Sequence, residues 1–239
     1  MTGCSRAQSH VVGVALMLAL AVFALGTLTV GVGTIVDSQA AGADAQRMAE
    51  SIEQVTKTAE RTGYATHSIR FSDGQLYTED RTVRILEGGS VIQTHEAKAL
   101  IFENDEYRIT AIAGAVLRDT GQGASLVADP SITSSQENGV VVIGIPVLNG
   151  SHLSVGGQEV TKTLEANVSH ERTALGTGEY GVAIETERPE TFERYFEDTD
   201  GTTHRRTFAG DDRESIVVTF PGNREGYVVR HGLQLEVTN

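Results

Sequence analysis

The sequence predicts an α+β chain, in which a long N-terminal transmembrane helix is followed by a β-rich antiparallel head domain with one short helix. Three observations predict it. No formally charged residue occurs across the 30 positions between Arg6 and Asp37. An apolar stripe then runs on at helical spacing as far as Ala59. Beyond Gly63, short β-branched runs alternate with turn signals to the C-terminus.

The first element follows from length and polarity. The 26 residues Val11–Val36, at ~1.5 Å rise each, reach ~39 Å as a helix, beyond the ~30 Å hydrocarbon thickness of a bilayer. Backbone amides in lipid must pair within their own segment, so residues 11–36 are expected to form one transmembrane helix. Gly13, Ala15, Ala19, Gly26, Gly31 and Gly33 would let helix backbones approach closely there. The helix is expected to continue, because Ala41, Ala45, Met48, Ile52, Val55 and Ala59 recur at spacings of three and four. Asp44, Arg47, Glu50, Lys57 and Arg61 fall off that stripe, and Gly63 is a good terminator. The expected layout is a leader at 1–7, a helix over 8–62 (transmembrane 11–36, amphipathic 37–61) and a head over 63–239.

Three readings of the N-terminal stretch compete. A secretory signal could be cut at the small residues Ala43-Asp44-Ala45, but the apolar run is too long for one. A plain signal anchor would keep Arg6 inside and the rest outside. The third reading uses residue order: Arg6-Ala7, then Gln8-Ser9, then the apolar helix. This resembles the class III signal peptides of archaeal type IV pilin-like proteins, and Arg6 to Val14 resembles the opening of a haloarchaeal pilin-like family of uncharacterised membrane proteins. The resemblance covers roughly the first 60 residues. It implies a pilin-like architecture, cleavage by a prepilin peptidase between Ala7 and Gln8, and packing with other pilin-like subunits. One departure stands out: many bacterial pilins carry a glutamate at mature position five, and here that position is Val12.

The head reads as a series of strands. Turn signals stand at Ser72-Asp73-Gly74, Gly88-Gly89, Asn104-Asp105, Gly121-Gln122-Gly123, Asn138-Gly139, Gly156-Gly157 and Gly222-Asn223. Strands are expected at 66–71, 81–86, 90–95, 98–103, 106–117, 160–170, 203–208, 214–220 and 226–237. The apolar run Val140–Val147 should be a central strand, with Pro146 at an edge or bulge because it lacks a ladder donor. Pro189 to Asp198 breaks the pattern: Pro at a helix start and aromatics at 192, 195 and 196 predict a short helix laid on the sheet.

Composition narrows the functions. There are 32 Asp+Glu against 19 Lys+Arg, a net charge of −13. That balance argues against a nucleic-acid partner, since phosphate binding needs a basic surface. Strong acidity with only three lysines is similar to haloarchaeal usage. Cys4 is the sole cysteine, so no intrachain disulfide can form. The seven histidines are scattered singly. No H-E-x-x-H or paired C-x-x-C spacing suggests a metal, and no G-x-S-x-G elbow, phosphate loop or dinucleotide fingerprint suggests catalysis. Asp198-x-Asp200-Gly201 has its glycine too early for a calcium loop and reads as a turn, as does Asp211-Asp212. No catalytic residue, metal or cofactor is therefore expected. Two N-glycosylation sequons begin at Asn149 and Asn167. The functional expectation is a structural subunit, single-pass in the cell membrane with its head outside, surrounded by lipid and able to enter a surface filament. The alternative is a non-polymerising anchor that displays its head as a binding or adhesion module.

Overall fold

A computed structural model describes the backbone of residues 5–150 and 152–238, and the side chains of 14–23, 38–150 and 152–238. Helix α1 (Ser5–Thr58) opens the chain. Strands follow: β1 (Gly63–Glu87), β2 (Ser90–Glu103), β3 (Arg108–Ile112), β4 (Ala115–Asp119), β5 (Ala124–Ala128), β6 (Ile132–Ser135), β7 (Val140–Asn149), β8 (Ser154–Gly178) and β9 (Tyr180–Glu185). Helix α2 (Pro189–Glu197), β10 (Thr202–Arg206), β11 (Ser215–Thr219) and β12 (Arg224–Thr238) complete it. Two compact units result, Met1–Ala40 and Ala41–Asn239.

The expected fold class is corrected. Among the described residues the chain is dominated by a twelve-stranded sheet, in the order β5-β4-β3-β2-β1-β8-β12-β7-β6 with β9, β11 and β10 branching from β1. Among the described residues no helix is long and apolar enough to cross a membrane. The apolar stretch of α1 whose side chains are described, Val14–Phe23, is ten residues and reaches only ~15 Å. The rest of the expected span 11–36 lies outside the residues with described side chains. The described helix therefore supports neither the expected transmembrane segment nor the single-pass membrane placement built on it. The all-antiparallel head is corrected as well, since β12 pairs with β7 in parallel, Glu225 opposite Val140 through Gln234 opposite Asn149.

The amphipathic stripe of α1 belongs to the second unit and builds one of its cores. Ala45, Met48, Ile52, Val55 and Ala59 are 0–3 % exposed, and Ala49 joins them. They pack on Ile69, Phe71 and Leu76 of β1, Leu100 and Phe102 of β2, and Leu164 and Val168 of β8. The opposite sheet face carries Val83, Ile85, Ala97, Ala99 and Ile101, which meet β7, β9, β11 and the Phe192 and Phe196 rings of α2. Residues alternating along β2 thus feed two cores, as a period-two strand covered on both sides must. Asp44, off the stripe, is nevertheless buried: its Oδ2 accepts the Ser72 amide at 2.7 Å.

That bond marks where sequence reading and fold part. Ser72-Asp73-Gly74 and Gly156-Gly157 were expected to be turns, yet they face each other inside the β1–β8 ladder, Gly74 opposite Gly157. Both glycines hold a positive φ, +133° and +135°, a region open to glycine. The inward alternation changes parity there. Ile69 and Phe71 face α1 before the bend and Leu76 after it; on β8, Val155 gives way to Val160 and Leu164. Two long strands therefore switch faces together. The expected strand 106–117 is likewise divided, by a tight turn at Ala113-Gly114 with φ of +52° and +84°. Pro146 sits where β7 has passed the end of β6, whose pairing stops at Ile132 opposite Ile143.

Candidate functional site

The sequence-nominated residues fall in separate places. The side chains of Arg6, Ala7 and Gln8 lie outside the described residues. Asn149 is exposed at the end of β7, before Gly150 at φ +108°, and its Oδ1 accepts from Arg230 at 3.4 Å. Asn167 is exposed in the middle of β8, between Tyr64 of β1 and Gln234 of β12.

Asn149 rims an open polar cleft of about 1020 Å³. Its charged lining includes Asp80, Glu96, Lys98 and Arg230, with His95 and His152. Lys98 Nζ donates to the Gly150 carbonyl at 2.8 Å, and His152 Nε2 stands 3.9 Å from Asp80 Oδ2. Burial, helped by the Arg230 charge and opposed by Glu171, lowers the His95 pKa below its usual value. Asp211, expected as a solvated turn, is instead gripped by Arg84, with oxygens at 2.5 and 2.6 Å. The Phe208 ring lies between Arg84 and Arg206, 4.4 and 4.3 Å from their guanidinium carbons. Such a lining can hydrogen-bond a polar ligand.

Beside the cleft, three arginines converge on two carboxylates. Arg81, Arg108 and Arg213 all reach both Glu79 and Glu187, at 2.9–3.3 Å. Burial pushes the Glu79 carboxyl up, but hydrogen bonding and charge from Arg81, then the charges of Arg213 and Arg108, outweigh it and hold the group below its usual range. Next to them the Tyr77 phenol is pushed up to about 12, first by burial and then by its hydrogen bond to Glu103. It donates to Glu103 Oε2 at 2.8 Å. The cluster joins β1, β3, the β9–α2 link and the loop before β11.

Asp200, in the turn after α2, accepts from the buried Arg224 at 2.6 Å. Among the described residues no group of three or more His, Cys, Asp or Glu could hold a metal ion. The first unit, taken by itself, presents Val14, Leu16, Met17, Leu18, Leu20, Val22 and Phe23 at 59–76 % exposure. One pairing escaped the sequence altogether: His170 and His231, 61 positions apart, meet across the β8–β12 ladder. The signal that could have found it is the pairing of two strands whose register only the fold supplies.

Residues 6–236 match the model of DUF7289, a family of unknown function. The chain belongs to DUF7289. No curated protein and no solved structure matches this DUF7289 chain.

Proposed function

We propose that this DUF7289 chain is a structural subunit, which associates with copies of itself through the apolar N-terminal part of α1. The observation that carries the reading is the row Val14–Phe23, where every large side chain is apolar and more than half exposed. A helix apolar on all sides requires a covering surface, because roughly 25 cal/mol is lost for each Å² of apolar area left in water. A second copy supplies that surface in kind. The small residues Gly13, Ala15, Ala19 and Ala21 suit close helix contact. Removal of the leader before Gln8 by a prepilin peptidase belongs to the same reading, and the resemblance of Arg6 to Val14 supports it.

The test is the mass of the purified full chain, by light scattering and electron microscopy, beside a Leu18→Glu/Val22→Glu variant. Discrete multimers or filaments of the natural chain, dispersed to monomer by the two charges, are the expected result. A natural chain that is monomeric under the same conditions as the variant overturns it.

A second reading has its own observation. The polar cleft rimmed by Asn149 suits a binding or adhesion module, in which the head takes up a polar partner.

A further inference from the structure

The seven histidines are singly placed in sequence, but the fold puts two of them on one spot. His170 and His231 stand directly opposite each other on β8 and β12. Their rings are perpendicular, with centroids 4.8 Å apart, and their Nδ1 atoms lie 2.7 Å apart. Both point to the sheet face that carries Val168 and Leu233, the face α1 covers, just past the end of that helix. His170 is exposed and His231 half-buried.

We propose that this pair is a binding site for a late first-row divalent ion, Cu²⁺ or Ni²⁺, ligated by the two Nδ1 atoms and completed by water. Three features of the pair support it. First, two nitrogens each ~2.0–2.1 Å from one ion and at right angles are about 2.9 Å apart, close to the separation present. A right-angle pair suits the tetragonal geometry of Cu²⁺ and Ni²⁺ better than tetrahedral Zn²⁺. Second, His231 is oriented for the task. With Nδ1 turned to His170, Nε2 faces the Gly144 backbone of β7, where a Cβ would stand 3.2 Å from it. A proton held on Nε2 leaves the Nδ1 lone pair free, as at metal-ligating histidines generally. Third, the surroundings favour a cation. Ala59 follows the C-terminal end of α1, where the helix dipole is negative, and the Glu60 carboxylate acts on His231 as well.

Without metal, the 2.7 Å Nδ1–Nδ1 contact needs one proton between the two nitrogens. His170 is exposed, so that proton can pass through water to the far nitrogen of a ring when the ion binds.

Untagged full chain titrated with Cu²⁺ tests this, with electron paramagnetic resonance to count ligating nitrogens. One ion per chain with two imidazole nitrogens is expected. His170→Asn and His231→Asn should each weaken binding by at least about tenfold, since even the loss of an orienting partner costs that much. His170 is exposed, so its replacement leaves the fold intact, as circular dichroism would register. Ni²⁺ should raise the melting temperature of the natural chain and leave the double variant unmoved. Cu²⁺ bound with the same stoichiometry and spectrum by the double variant, or not bound by the natural chain, overturns the site.

Discussion

At the scale of single residues, burial decides which ionisable groups answer to pH. His67, on β1, is half-buried against the end of α1, where its Nε2 meets Thr58 Oγ1 at 2.7 Å, and burial lowers its pKa below 6.5. His95, on the cleft wall, is lowered by burial first and by Arg230 second. A lowered histidine is protonated more readily in the unfolded chain than in the folded one. The unfolded state then binds more protons below the ordinary histidine value, and stability falls as pH drops through that range. Urea midpoints should therefore decrease between about pH 7 and pH 5 with an unchanged slope. His95→Asn should flatten that dependence. An equal or higher midpoint at the acid end would contradict the assignment. Asp44 shows the same rule for hydrogen bonding. It lies off the apolar stripe, but a strand bend leaves the Ser72 amide without a ladder partner, and a buried donor must be paired.

At the scale of elements, the informative feature is the joint bend of β1 and β8. Glycine is needed at 74 for two reasons. Its φ is +133°, and a Cβ there would sit 2.7 Å from the Glu103 carbonyl and 2.9 Å from the Phe102 ring. Gly74→Ala is expected to destabilise by about 1–3 kcal/mol through backbone strain, measured by urea unfolding. Gly88→Ala in the β1–β2 hairpin meets nothing within 4 Å, so only its conformational cost should appear, and its loss should be smaller. An equal cost at the two positions would refute the packing argument. The strands themselves were largely legible, because β-branched runs and hairpin glycines at 88–89 and 139 act locally. The bend was not: a glycine that ends a strand and a glycine that re-aims one look the same in sequence.

At the scale of the whole molecule, the boundary between the two compact units lies inside α1, after Ala40. The core side chains of the second unit begin at Ala45. A chain of residues 41–239 should therefore fold alone, with a cooperative melt and the circular dichroism of a β-rich protein. A chain beginning at residue 60 loses Met48, Ile52 and Val55 from the core. Each such loss is worth about 2–5 kcal/mol even for a single truncation to alanine, so it should fail to fold cooperatively. If 60–239 melts like 41–239, the helix is dispensable and the core assignment is wrong. The candidate site followed the same divide. The sequons and leader residues are local strings, readable at once, whereas the cleft, the arginine cluster and the histidine pair join residues from distant strands.

The sequence alone determined the helical stripe, with its apolar face over residues 45–59, the short helix at Pro189 and the strand character of most of the head, since these depend on neighbours within a few positions. Only the tertiary structure decided that the stripe completes a sheet core, that β12 runs parallel to β7, and that His170 lies against His231. Those outcomes depend on register between strands up to about a hundred residues apart, and register is chosen by the packing of both sheet faces at once.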